Sequence, residues 1–187
     1  NDVVYVADFY VYAINASVTN GLMWTYPASS NRFNGSYVNE PVTYEFSDPT
    51  VADGVVYIGA KYNHSSSQLL ALNASTGASI WNYSTASAVG YSTPAVCSNF
   101  VYASADDGNV FALNRLDGSL VWNYRTNNGV HSSPALAGGV VYVGSNDGNL
   151  YAFNAYNGDV LSTFYVGSSI ESSPAVANDA VYVGADD

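Results

Sequence analysis

The chain has 187 residues, 48% of them hydrophobic and only 10% charged, with four Lys plus Arg and a net charge of −11. That balance supports a packed core, and it excludes a basic face for nucleic acid or for an anionic membrane surface, since either needs cations to neutralise phosphates. No apolar run is long enough to span a bilayer, no basic segment followed by an apolar stretch opens the chain as a secretory leader would, and the single cysteine, Cys97, can form neither an intrachain disulfide nor a cysteine-built zinc site.

The sequence opens on an apolar run over residues 3–8 that carries Tyr5. The same kind of run returns around Tyr57, Tyr102, Tyr142 and Tyr182, at spacings of 52, 45, 40 and 40 residues. A second anchor, the Pro of a short preceding run, falls at Pro49, Pro94, Pro134 and Pro174, at spacings of 45, 40 and 40. Two anchors with one period identify an internal repeat, which has to be read before any other feature.

The clearest copy runs from Ser132 to Phe164. Four short apolar runs are separated there by Gly138-Gly139, by Asn146-Asp147-Gly148 and by Asn157-Gly158. Asn-Gly and Asp-Gly pairs between alternating runs mark β-hairpins, because a type I′ turn needs positive φ at both central residues. One unit is therefore a four-stranded antiparallel meander. In chain order the units are a partial blade over 1–26, an insertion loop over 27–45, blades over 46–85, 86–126 and 127–166, and a partial blade over 167–187. The second unit is expected to carry a long polar turn over residues 61–68. The final segment, 181–187, repeats a second strand with no third strand after it, which is expected of a truncated chain or of a strand donated to a neighbour.

The third and fourth strands repeat a fixed pattern: Ala71, Asn73, Gly77 and Trp81, then Ala112, Asn114, Gly118 and Trp122. The first unit has Ala13, Asn15, Gly21 and Trp24, one residue longer, and the fourth has Ala152, Asn154, Gly158 and Ser162. A Trp at a sheet boundary packs between units while its N–H reaches a carbonyl. Trp24, Trp81 and Trp122 are thus expected to dock one unit on the next, and the junction served by Ser162 is expected to be weaker or differently packed.

This pattern, A-x-N-x-x-x-G-x-x-x-W followed by S-S-P-A-V and V-Y-V-G-S-x-D-G, resembles the tryptophan-docking repeat of quinoprotein-like (PQQ-like) β-propellers. The resemblance covers essentially the whole chain. It implies an all-β propeller or half-propeller of about four blade equivalents, whereas family propellers usually carry seven or eight. The family includes pyrroloquinoline-quinone dehydrogenases, non-catalytic outer-membrane assembly scaffolds resembling the BamB lipoprotein, and archaeal and bacterial surface proteins. The shortfall leaves three arrangements open: a fragment of a longer protein, several chains combining into a ring or joining head to tail, or a closed four-bladed ring in which residues 172–176 pair with residues 3–24.

Chemistry is sparse. A quinone dehydrogenase would bring a catalytic Asp, a Ca²⁺ held by Glu and Asn or Asp, and often a vicinal cysteine pair. With one Cys, no cofactor is expected and no catalytic or metal site is assigned. Asp106-Asp107-Gly108-Asn109 and Asn146-Asp147-Gly148-Asn149 could be oxygen clusters for calcium, but their regular place marks them as hairpin turns. His64 and His131 are expected in solvent. Glu40, Glu45 and Glu171 are scattered. Cys97 is expected to be buried and inert. Five N-x-S/T sequons begin at Asn15, Asn34, Asn63, Asn73 and Asn82, all in the less regular half. They are candidate glycosylation sites, with Asn82 turned outward opposite Trp81. The expected function is a non-enzymatic, extracytoplasmic scaffold, assembly or adhesion module with protein or glycan partners. A dehydrogenase fragment and a subunit that self-assembles through open blade ends are the alternatives.

Overall fold

The computed structural model describes residues 2–27, 32–33, 36–37, 44–62, 66–89 and 91–186. Every regular element among them is a β-strand. The first sheet has β1 (Val3–Ala7), β2 (Val11–Asn15) and β3 (Leu22–Tyr26) in sequence order. A two-stranded pair, β4 (Arg32–Phe33) with β5 (Ser36–Tyr37), lies in the segment expected as an insertion loop. The second blade holds β7 (Thr50–Ala52), β8 (Val55–Tyr62), β9 (Ser66–Asn73) and β10 (Ser79–Thr85), and β6 (Tyr44–Phe46) pairs with the far end of β8. Two regular four-stranded antiparallel meanders follow. They are β11 (Ala95–Cys97) to β14 (Leu120–Arg125), with β12 (Phe100–Ser104) and β13 (Asn109–Asn114) between, then β15 (Ala135–Ala137) to β18 (Val160–Tyr165), with β16 (Val140–Gly144) and β17 (Asn149–Asn154) between. A hairpin of β19 (Ala175–Ala177) and β20 (Ala180–Tyr182) completes the order.

The apolar alternation explains why both faces of a blade are buried. Successive side chains on a strand point to opposite faces. On β12, Val101 and Ala103 pack toward the second blade, while Phe100 and Tyr102 pack toward the fourth. The cores are therefore layers between blades. The short first strands also follow one another, β7 against β11, β11 against β15 and β15 against β19, which places them on the inner edge and the fourth strands on the outer.

Each fourth strand slips its register beside the docking position, so that Met23, Ile80, Val121 and Leu161 have no partner in the ladder. Such a bulge re-aims the neighbouring side chain. All four bulged residues are exposed, and the next residue, Trp24, Trp81 or Trp122, turns inward. The tight turns between first and second strands use positive φ, including Gly138 (+56°) and Gly139 (+78°).

Two expectations need correction. The polar turn expected over 61–68 is mostly strand: Lys61 pairs with Ser67 and Tyr62 with Ser66. The polar side chains are compatible with strand because they are bonded, Tyr62 Oη to Gln68 Oε1 at 3.1 Å and Gln68 Nε2 to Ser84 Oγ at 3.4 Å. Ring closure through 172–176 is not formed. β19 pairs with β20, and among the described residues β1 has no partner on its other side.

Candidate functional site

The blades have two ends with different occupations. At one end lies the docking machinery. Trp24 Nε1 donates to Ala74 O at 2.9 Å, Trp81 Nε1 to Arg115 O at 3.0 Å and Trp122 Nε1 to Ala155 O at 2.9 Å. Each acceptor follows the repeated Asn, in the turn of the next blade. The Tyr of the same blade flanks each indole with ring centroids 5.9 Å apart: Tyr5 by Trp24, Tyr57 by Trp81, Tyr102 by Trp122. Tyr5 and Tyr102 donate to the same carbonyls, each at 3.0 Å. At the middle junction Arg115 intervenes. It donates from Nε to Tyr57 Oη at 3.0 Å and pairs with Asp53 at 2.7 Å. After the fourth blade, Ser162 stands where the indole would be, beside a cavity of about 330 Å³ lined by Tyr142, Leu150, Ala152, Phe164 and Val181.

Away from these docks, the first Ser of the leading motifs is structural. Ser47, Ser132 and Ser172 accept the N–H of Gly59, Gly144 and Gly184 at 2.9, 3.1 and 2.7 Å. The second Ser links blades: Thr93 N donates to Ser133 Oγ at 2.9 Å and Ser133 N to Ser173 Oγ at 3.0 Å.

The opposite end breaks the repeat. The residue just before each leading Ser is Phe46, Tyr91, His131 and Glu171; four residues beyond the Tyr of each second strand stand Lys61, Asp106, Asn146 and Asp186. The Ser that follows is constant in all four units, yet the residue before it changes character from blade to blade, and the second position is Lys in one blade and Asp or Asn in the others. The backbone fixes them together. Asp106 N donates to Ala88 O at 3.0 Å and Val130 N to Ala105 O at 3.2 Å; Asn146 N donates to Gly129 O at 2.9 Å and Ile170 N to Ser145 O at 3.1 Å.

The result is a continuous row across blades. Lys61 Nζ binds Glu45 Oε2 at 2.8 Å, reaches Tyr91 Oη at 3.4 Å and lies 5.2 Å from the Tyr91 ring centre. The Tyr91 and His131 rings are 5.2 Å apart. His131 Nε2 is 3.4 Å from Asp106 Oδ1, and its Nδ1 is 3.5 Å from Glu171 Oε1. The Glu45 carboxylate holds the Lys61 ammonium above its ordinary range. Burial pushes the Asp106 carboxyl up, while His131 and Lys61 pull it the other way. Asp106 Oδ1 and Asn146 Oδ1 are buried with no hydrogen-bond donor.

His131 is thus half-buried between carboxylates, against the expectation that it faces solvent, because the Val130–Ala105 bond draws its loop over the blade. His64, Asn34, Asn63 and Glu40 lie outside the described residues. Cys97 is exposed, not buried: it ends β11, and the positive φ of Ser98 turns the chain away at once. Asp107 and Asp147 serve their turns, accepting from Asn109 and Asn149, and Asp147 also accepts from Tyr151 Oη at 2.7 Å. Asp106 is more than a turn residue, and the sequence carries a sign of it: the preceding blade has Lys61 at its position, and the neighbouring blades have Tyr91 and Glu171 at that of His131. Among the described residues no three His, Cys, Asp or Glu side chains are grouped to hold a metal ion. With that donor set and an exposed Cys97, these residues do not fit a quinone–Ca²⁺ centre. Asn15 and Asn73 accept turn N–H groups, from Ser17 at 3.0 Å and Ser75 at 2.9 Å, while Asn82 is exposed on β10.

The family described as outer membrane protein assembly factor BamB matches residues 1–187. The crystal structure of BamB from Moraxella catarrhalis is 23% identical and superposes with a TM-score of 0.69, over 98% of this chain and 54% of that one. The chain therefore spans about half the length of that protein. A computationally designed protein, Ika4, is 18% identical with a TM-score of 0.62, over 74% of this chain and 86% of that one. A quinohemoprotein alcohol dehydrogenase from Pseudomonas putida HK5 is 18% identical with a TM-score of 0.69, over 88% of this chain and 33% of that one. Among curated proteins none matches. The structural likenesses, all below 25% identity, carry the fold alone.

Proposed function

The chain belongs to the family of the outer membrane protein assembly factor BamB, and from that membership we propose that it is part of a non-enzymatic, extracytoplasmic scaffold that holds a protein partner at the non-repeating end of its blades. One observation carries the reading. The end with the docks repeats from blade to blade, whereas the row Lys61–Tyr91–His131–Asp106–Glu171 does not. A fold needs its docks to repeat. It does not need a Tyr, a His and a Glu at successive equivalent positions, so this row is where the chain is specialised. Tyr91, 55% exposed, offers a ring to a partner, and aromatic side chains are favoured anchors at protein interfaces.

A photo-crosslinking residue at position 91, compared with one at position 117 in the opposite end, tests this in the native envelope. The reading expects a discrete protein adduct from position 91 alone. Adducts from both positions, or from neither, sink it. The dehydrogenase alternative is addressed by reconstitution with quinone and Ca²⁺, where a bound quinone absorbance with substrate-dependent bleaching would displace the scaffold reading.

Self-association through open blade ends is a second reading. It is supported by β18, on which Val160, Leu161, Phe164 and Tyr165 are all exposed. Light scattering at several concentrations separates it from a monomer, and a mass independent of concentration at the single-chain value rejects it.

A further inference from the structure

We propose that the row seats a Lys or Arg side chain of an extended, basic segment of the protein partner, with the cation against the partly exposed His131 ring and within reach of the Asp106 and Glu171 carboxylates on either side of it. This rests on the scaffold reading and names the chemistry of its partner.

One unit upstream, the chain fills such a seat itself. Lys61 lies over the Tyr91 ring with Glu45 as its carboxylate. Aromatic face plus carboxylate is a favourable setting for a partly desolvated cation. One unit on, His131 takes the place of the Tyr91 ring, the position equivalent to Lys61 is Asp106, that of Glu45 is Gly90, and the second carboxylate, Glu171, comes from the unit after. Negative groups accumulate there, and although Lys61 acts on Asp106 from a distance, none of Lys61, Arg115 and Arg125 forms an ion pair with Asp106 or Glu171. Arg115 is held by Asp53 at the opposite end, and Arg125 donates to the Asp107 carbonyl at 3.2 Å.

His131 cannot satisfy both carboxylates in its neutral form. A neutral imidazole has one N–H, and it faces Asp106 on one side and Glu171 on the other. Asp106 Oδ1 is buried against His131 without a hydrogen bond, but the Asp106 and Glu171 side chains as a whole stay partly open, at 29% and 56% exposure. A guanidinium or ammonium reaching that open part supplies several N–H groups and a further positive charge together. The net charge of −11 draws a basic segment in from a distance.

The test is binding of a fluorescein-labelled Gly/Ser peptide carrying several Arg residues to the full chain, followed by anisotropy. Its counterparts carry citrulline, which keeps the shape and loses the charge, or Glu. The expected result is salt-sensitive binding of the Arg peptide only, weakened at least about tenfold by Asp106→Asn with Glu171→Gln. A control pair, Asp117→Asn with Asp159→Asn, makes the same change in net charge at the opposite end and should alter binding less than about twofold. The His131 ring resonances should shift on titration with the Arg peptide and stay in place with citrulline. Equal loss in both variant pairs, unchanged binding in the first pair, or binding to none of the peptides overturns the assignment. Equal binding of the citrulline or Glu peptide also overturns it, while leaving the scaffold reading in place; that reading is decided separately, by the crosslinking and quinone-reconstitution experiments.

Discussion

Trp122 lies flat against Gly158 of the next blade, so closely that a Cβ on that glycine would stand 2.7 Å from the indole Cδ2. The same pairing joins Trp24 to Gly77 and Trp81 to Gly118. Each glycine also has positive φ, from +71° to +75°. Two separate demands therefore fall on one residue: a left-handed backbone and no side chain.

Gly158→Ala should cost more than the backbone alone explains. Gly54 has a similar φ of +77° with open space around its Cβ direction. Gly54→Ala should lose about 1–2 kcal/mol, the left-handed penalty for an L-residue. Gly158→Ala should add about 1–3 kcal/mol of overpacking. Urea unfolding of the two variants measures the difference, and equal losses would mean the indole moves aside freely.

Ser132→Ala should destabilise by about 1–3 kcal/mol, because the buried Gly144 N–H loses its acceptor. Ser172 makes the equivalent bond with Gly184 in an exposed setting where water replaces it. Ser172→Ala should therefore cost clearly less, and unfolding midpoints that fall equally would contradict the burial argument.

Asp106→Asn should raise stability at neutral pH. The carboxyl is held above its ordinary value by burial, so the folded chain binds that proton more tightly than the unfolded chain. Stability from this group is present at low pH and is lost as pH rises from the unfolded value of about 3.9 through the folded one. The advantage of Asn should vanish below that window and level off above it. Asp147 has the opposite sign. Partial burial pushes its carboxyl up, but hydrogen bonds from Tyr151, Asn149 and Asn127 outweigh this and hold it low. Asp147→Asn should lose stability at neutral pH, with the deficit shrinking on acidification. Thermal melts across pH resolve both, and parallel curves for variant and parent would contradict the assignment.

In a glycosylating host, Asn82 should be modified ahead of Asn15 and Asn73. Its side chain is exposed on an outer strand, whereas the other two have their amides engaged in turns. Glycopeptide mapping reports occupancy site by site. Sugar on Asn73 with none on Asn82 would reverse the order.

The repeat made the blades legible, because Tyr, Pro, Trp and Gly recur at fixed spacing and each has a fold-wide job. Trp81 and Gly118 each stand out from spacing alone, but their contact across two blades is seen only in the structure. The row was harder to see. Tyr91, His131 and Glu171 share no chemistry, so a search for recurring motifs passes over them, and their meeting depends on backbone bonds such as Val130 to Ala105. The apolar neighbourhood of Cys97 in sequence, Ala95-Val96, carries no sign of the turn at Ser98 that leaves the thiol exposed. Over residues 61–68 polar composition does not separate loop from strand, because Gln68 finds its bonding partners only within the folded sheet.

The indole and its glycine seat never belong to the same blade: Trp81 is in the second and Gly118 in the third. The second and third units thus each carry the glycine half of the fastening to the predecessor and the indole half of the fastening to the successor. Copying either of these units copies both halves, so the fastening itself fits on either side of the inserted copy. An array fastened in this way can lengthen or shorten by tandem duplication and deletion while every surviving joint keeps its geometry. That leaves the opposite end of each new copy free to diverge.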